Sequence, residues 1–223
     1  MNFKVLFAEF LGTAILVAAV VGSGIMATNL SGDVLVALLV NGISTVLALG
    51  LVILTLGPVS GGHFNPAVSI ALAIDQKFKV ARVAPYIAAQ IAGAVTGAVL
   101  ANLMYGAEAI QVSTTVRVSP GAAIGELVAT AGLVFIILNL IRTKRTELIA
   151  VAAPAWIAAG YFFTSSTSFA NPAATVGRIF SDSFAGIGPE SVPVFVIAQL
   201  VGAGLGIVLA RAFANSKKKK KKS

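Results

Sequence analysis

The chain has 223 residues, of which 57% are hydrophobic and 11% charged, with a mean hydropathy of +0.95. Soluble domains carry about twice that charge, so an ordinary soluble fold is excluded and the bilayer is the solvent. No cysteine and one histidine rule out disulfides, thiolate metal sites and multi-histidine metal centres, so neither metal nor cofactor is expected. The net charge of +8 falls to +2 without the lysine run Lys217–Lys222, which removes the case for nucleic-acid binding.

A membrane-spanning helix needs about 20 mostly apolar residues. In chain order the qualifying stretches are Phe3–Met26, Val34–Leu56, Val80–Met104, Ala122–Ile141, Leu148–Thr164 and Val192–Phe213. The first is too long for the apolar core of a signal peptide. The connections Gly57–Lys79 and Ser165–Ser191 are long, and each contains a short apolar stretch opening with Asn-Pro-Ala: Asn65-Pro66-Ala67 and Asn171-Pro172-Ala173. Asn suits a helix N-cap and Pro the first turn, so both motifs predict helices too brief to span. Residues 1–214 form one domain, followed by a basic tail, 215–223. That tail reads as a disordered cytoplasmic end or an artefact of the sequence end, with binding of anionic lipid as a further reading. With six spans, fourteen Lys and Arg fall on the side of the termini and two, Arg117 and Arg178, on the other. The excess places both termini in the cytoplasm.

The chain also repeats itself. Ala89–Ala101 in the third span matches Ala198–Ala210 in the sixth, and Glu9-Phe10-Leu11-Gly12-Thr13 in the first matches Glu126-Leu127-Val128-Ala129-Thr130 in the fourth. An Asn-Pro-Ala motif falls between matching spans in each half. The repeats, about 3–105 and 122–213, each hold three spans and one half-helix. Three is odd, so they insert with opposite topology, an inverted repeat of the kind transport proteins use. The two half-helices then enter from opposite sides, and their Asn residues meet near the midplane around a water-filled cavity. The expected fold is all-α, with six transmembrane helices and two re-entrant half-helices. Its expected partners are water, small neutral solutes and membrane lipids. A secondary active transporter is the rival reading, since it too can use inverted repeats.

The segment Ser60-Gly61-Gly62-His63-Phe64-Asn65-Pro66-Ala67-Val68-Ser69, the second Asn171-Pro172-Ala173, the paired Glu9 and Glu126 and the duplicated spans resemble the aquaporins, the major intrinsic proteins. The resemblance covers about Phe3–Phe213 and implies a passive channel without enzymatic activity, assembled as a homotetramer with one pore per subunit. Phe162–Arg178 also resembles a bacterial branch linked to arsenic handling, which implies a bacterial inner membrane and undissociated metalloid acids among the solutes. Water-selective members carry Arg three residues after the second Asn, where this chain has Ala174. By motif spacing the other constriction positions fall at Thr45 (or Ser44), Ala159 and Ser168, a set without a ring or a charge. This implies a wide filter passing glycerol or urea as well as water, with a water-selective channel as the alternative. The family lines its pore with the loops before each Asn, here Gly61, Gly62, His63 and Phe64, and Thr167, Ser168, Phe169 and Ala170.

Two readings are open for Arg178. It stands at the outer mouth of the pore, or it pairs with Asp182 or with a loop carbonyl. His63 is read as pore-lining, with a buried hydrogen-bonding role and a pH gate as alternatives. The intramembrane acids Glu9 and Glu126, which could be proton relays, are read as acceptors for re-entrant-loop backbone, and Gln90 and Gln199 likewise as structural. Asn41 either lines the lumen or bonds a neighbouring span. The Gly/Ala stripes of the third and sixth spans predict close helix packing.

Overall fold

The structure, a computed structural model, describes residues 2–76 and 78–215. The expectations for the lysine tail therefore lie outside the described residues. Eight α-helices follow in order: α1 (Phe3–Leu30), α2 (Val34–Ser60), α3 (Pro66–Asp75), α4 (Val83–Met104), α5 (Pro120–Arg142), α6 (Ile149–Phe163), α7 (Pro172–Gly177) and α8 (Val192–Asn215). Short 3-10 turns extend α4, α6 and α8 at their starts and α7 at its end. No strand occurs among the described residues.

Six of these helices are long and apolar enough to cross a bilayer, matching the predicted spans. They run longer than the apolar stretches alone suggest. At 1.5 Å per residue the 28 residues of α1 extend about 42 Å, beyond the roughly 30 Å of hydrocarbon, so its ends reach into the headgroup region. Helix α2 continues through Pro58 to Ser60 and stops where Gly61 takes a left-handed φ of 97°. Starts are set by side-chain caps. The Asp33 carboxylate accepts from the amides of Leu35 and Val36, and Ser119, just ahead of Pro120, accepts from Ala122. The half-helices α3 and α7 begin at Asn65 and Asn171, each followed by Pro at the first helical position.

The duplication is visible in the packing. Helix α1 packs along α4 and α5 along α8, and glycines make both crossings close. A Cβ on Gly93 would lie 2.2 Å from the Phe10 carbonyl oxygen, and one on Gly97 2.3 Å from that of Ala14. In the second repeat, Gly202 and Gly206 stand in the same relation to Leu127 and Ala131, at 2.5 and 2.6 Å. Lipid gives helices no hydrophobic drive to associate, so backbone-to-backbone approach of this kind supplies the packing energy.

One ion cluster joins the repeats. Asp75, at the end of α3, accepts from Arg142 at the end of α5 and from Arg211 in α8. Burial would raise the Asp75 carboxyl pKa, but the Arg211 hydrogen bond and the Arg142 charge outweigh it and hold the pKa below its ordinary value. A depressed carboxylate contributes stability that is fully present above its unfolded pKa and is lost as pH falls through the folded one. Asp75→Asn should therefore lower the melting temperature at neutral pH by about 2–4 °C, for a loss of about 1 kcal/mol. The gap to wild type should narrow below about pH 4. Gly97→Leu should abolish the monodisperse folded species on size-exclusion chromatography. Thr96→Leu, one residue away and exposed, should elute as wild type.

Candidate functional site: a polar cavity between two half-helices

Two stretches of backbone, Gly62–Asn65 and Ser165–Asn171, lie within the bundle outside the helices. Buried amides need partners, and a carboxylate in each repeat supplies them. Glu9 accepts from the amides of His63 (3.0 Å) and Phe64 (2.7 Å), the Ser60 hydroxyl (2.6 Å) and the Gln90 side-chain amide (2.8 Å). Glu126 accepts from the amides of Phe169 and Ala170, both at 2.8 Å, and from the Gln199 side-chain amide. An ionised carboxylate only accepts, and about four donors fill its lone pairs. Gln90 also reaches Ser69, and Gln199 reaches Thr175. Glu9 and Glu126 thus accept from re-entrant-loop backbone, and Gln90 and Gln199 donate to them.

These anchors hold an unfavourable backbone. Phe64 and Ala170, each just before its Asn, have φ of 48° and 46°, a left-handed conformation costing a non-glycine residue about 1–2 kcal/mol. Hydrogen bonds to a charged acceptor are worth about 1.5–3 kcal/mol each, so the carboxylates outweigh the strain. The twist turns the two carbonyls towards the opposite half. The Asn65 amide donates to the Ala170 carbonyl (2.7 Å), and the Asn171 amide donates to the Phe64 carbonyl (2.8 Å). Each Asn Oδ1 meanwhile caps its own half-helix. An amide nitrogen carries two protons, so one on each Asn remains for the lumen, into which both side chains face.

The cavity beside the two Asn residues has a volume of about 70 Å³, room for several waters. Part of its lining is aliphatic, from Leu16, Val20, Leu49, Val68, Leu133, Ile137, Ala153 and Ile157. The two loops contribute Gly62, His63, Phe64 and Asn65, and Ser168, Phe169, Ala170 and Asn171. Towards the chain termini the lumen opens into a wider vestibule of about 530 Å³ that includes Gly61 and His63. His63 stands where the two meet, with Nδ1 2.9 Å from the Ser69 hydroxyl and its ring against Phe78 and Tyr86.

Several assignments change. Thr45, Ser168 and Ala174 line the narrow cavity, but Ala159 does not; it is exposed on the outer side of α6, and Tyr161 takes the inward place. Residues two apart on a helix point about 200° from each other, so a two-residue error in the spacing estimate exchanged the faces. The i, i+4 series Ala153, Ile157, Tyr161 marks the inward stripe, a signal present in the sequence. Tyr161 donates to Thr45 at 3.2 Å. Gly61 lines the vestibule instead of the narrow part, and Thr167 is half-buried off both. Asn41 bonds the Val20 carbonyl and Ser23 and does not face the lumen.

Arg178 also lines the cavity, so the expected constriction without ring or charge is not what forms. It does not pair with Asp182, whose carboxylate accepts from Thr114. Its Nε instead donates to the Ala185 carbonyl, and its guanidinium lies 3.4 Å from the centre of the Phe169 ring. Arg117, from the connection between α4 and α5, holds the neighbouring carbonyls of Gly186 (2.6 Å) and Phe184 (2.7 Å). Three consecutive carbonyls are thus bound by two arginines. Burial, and then the Arg117 charge, bring the Arg178 pKa down to about 9. Sequence reasoning gave Arg117 no role, since its pairing crosses between two loops. Ser60 and Ser166, each five residues before its Asn, and Ser69 and Thr175, each four after, were legible as duplicated offsets. Among the described residues no cluster of three His, Cys, Asp or Glu could hold a metal.

Comparison with known proteins agrees with this geometry. The family model described as "Major intrinsic protein" matches residues 1–166. The chain is similar to aquaglyceroporin AqpS of Rhizobium meliloti, 47% identical over 204 residues that cover 92% of this chain and 87% of that one. Aquaporin Z of Brucella melitensis is 31% identical, with 92% and 95% covered. The crystal structure of the aquaglyceroporin from Plasmodium falciparum superposes with a TM-score of 0.67, at 24% identity and 93% coverage of both chains, a likeness of fold.

The absence of cysteine permits a direct test of which residues face the lumen. In single-cysteine variants, labelling with a water-soluble thiol reagent should block flux at Thr45→Cys and Ala174→Cys. Ala159→Cys should keep its flux under the same treatment, and a block there would return Ala159 to the pore wall.

Proposed function

The chain belongs to the major intrinsic protein family, and from that premise we propose that its lumen passes glycerol-sized uncharged solutes as readily as water. It is an integral membrane channel for water and small solutes, not an enzyme. The observation carrying the finer reading is the mixed lining of the cavity. Loop backbone, two Asn side chains and the hydroxyl residues Thr45 and Tyr161 line it together with many aliphatic side chains. A polyol can bond to the polar groups while its carbon chain lies against the apolar ones. Ala174, where water-selective members have Arg, leaves room for that chain.

Ions are held out by the cost of dehydration, which runs to several kcal/mol or more in a lumen this narrow. The buried Arg178 adds a positive charge against cations. Urea and undissociated metalloid acids share the size and neutrality of glycerol and belong to the proposed solute set. A secondary active transporter is disfavoured because no acid lines the narrow cavity among the described residues, and ion coupling at the midplane needs such groups. Flux that saturates, or that requires an ion gradient, would restore that reading.

The proposed setting is a bacterial inner membrane with both termini cytoplasmic, in line with the fourteen-to-two distribution of Lys and Arg. A homotetramer follows from the family resemblance. Apolar side chains exposed along α2, including Leu39, Ile43, Leu47 and Leu51, leave a face for neighbouring subunits and lipid.

In proteoliposomes, glycerol flux should be linear in gradient and comparable with water flux. Water flux without measurable glycerol flux would refute the glycerol reading. Ala174→Arg should cut glycerol flux by about tenfold or more, or about 1.4 kcal/mol in the barrier, and water flux less. Unchanged glycerol flux in a folded Ala174→Arg channel would remove position 174 from the constriction.

A further inference from the structure

The vestibule at the end of the pore nearer the chain termini is built unlike the lumen it feeds. It holds about 530 Å³, the size of a cleft for a small organic molecule rather than of a file of waters. Its walls come from Ile53, Leu54 and Pro58 of α2, Leu72 of α3, Ile141 of α5 and Ile149 of α6. Water and polyols gain nothing from such walls. Apolar surface gathered in a water-facing concavity marks a place where an apolar body binds.

One charge stands among these side chains. Glu147, in the 3-10 turn ahead of α6, lines the vestibule beside Thr146, and no Lys or Arg lines it among the described residues. The ion pairs among the described residues all belong to Asp75, so the Glu147 carboxylate has no cationic partner there. Arg142, at the end of α5, is turned to Asp75, and Lys144 and Arg145 are exposed and line no part of the cavity. Glu147 and Ala150, which also lines the vestibule, are three residues apart at the start of one helix. That spacing puts their Cβ atoms about 5–6 Å apart on one face, so carboxylate and apolar wall meet within a turn.

We propose that the vestibule is a binding site for organic monocations with a single-ring or short-chain hydrocarbon body, and that an occupied vestibule closes the channel from this side. The charged end sits at Glu147, and the body lies against Ile53, Leu54, Leu72 and Ile149. The binding follows from the vestibule itself, and the closure rests on the channel reading above. An anion of the same shape is repelled by Glu147. A bare metal cation keeps its water and gains nothing from aliphatic walls. Such an organic cation also goes no farther. Ile53, His63 and Ile149 line the vestibule and the narrow cavity alike. Past them the ligand would leave its carboxylate and approach the Asn amide protons and the positive ends of two half-helices. It lodges where uncharged solutes have to pass.

The probe is benzyltrimethylammonium, whose charge is permanent. Tetramethylammonium supplies the charge without the ring, and benzenesulfonate the ring with the opposite charge. Labelled glycerol efflux is followed from vesicles that contain the full-length channel with its terminus-bearing face outward. At about ten times its dissociation constant the probe should leave about a tenth of the wild-type efflux, as occupancy of one site requires, and each control should change it less than about twofold. The probe should have no effect from the opposite face. Glu147 is exposed, so substitutions there leave the packing untouched. Glu147→Gln should raise the half-blocking concentration about fivefold, the upper range for a solvated ion pair, and Glu147→Asp should keep most of the block. Equal block by tetramethylammonium, block from either face, or a half-blocking concentration unmoved in Glu147→Gln would overturn the proposal. Wild-type vesicles with no glycerol efflux before any cation is added would instead overturn the channel reading. Calorimetric titration of the purified channel with the same three compounds then decides the site: heat of binding from benzyltrimethylammonium that weakens in Glu147→Gln supports it, and no such heat overturns it.

Discussion

A membrane interior has no water to satisfy a peptide group, so any stretch of non-helical backbone there must find all its partners within the protein. Two such stretches cross the centre of this molecule, and two carboxylates make them tenable. Glu9 and Glu126 each collect two consecutive loop amides together with a glutamine side-chain amide. With the amides held from behind, the Phe64 and Ala170 carbonyls turn forward. The polar part of the lining is thus a consequence of how the loops are tethered on their far side.

The two repeats solve this problem alike and then diverge at their outer ends. In the first, α3 runs to Asp75 and is tied to α5 and α8 by two arginines. In the second, α7 stops after six residues, and Arg178 folds onto Phe169 and a loop carbonyl. One end of the pore therefore opens into a broad vestibule, and the other closes on an arginine, a tyrosine and two hydroxyls. The arginine, the tyrosine and the hydroxyls stand where the symmetry fails.

Much of the architecture was legible because its causes are local or duplicated. Span length follows from bilayer thickness, half-helix starts follow from Asn-Pro, and the topology follows from an odd number of spans per repeat. The loop anchors were readable because Glu9 and Glu126, and Gln90 and Gln199, recur in matching segments. The constriction was read less well. Motif spacing carried onto α6 named Ala159, and only the inward stripe of that helix, Ala153, Ile157 and Tyr161, identifies the right face. Asn41 and Arg117 depend on partners 21 and 69 residues away, Val20 and Gly186, a proximity that nothing in the local sequence encodes.

The reciprocal bonds from Asn65 to Ala170 and from Asn171 to Phe64 bear on how the molecule is made. Each half supplies the acceptor for the other half's asparagine, so the first loop cannot take its final shape while only the first three spans have been synthesised. The second loop in turn depends on Gln199, in the last helix to emerge. Until α8 is in place the nascent protein holds a set of inserted helices with an unformed lumen. A partly made chain therefore lacks the finished passage through which the membrane could leak.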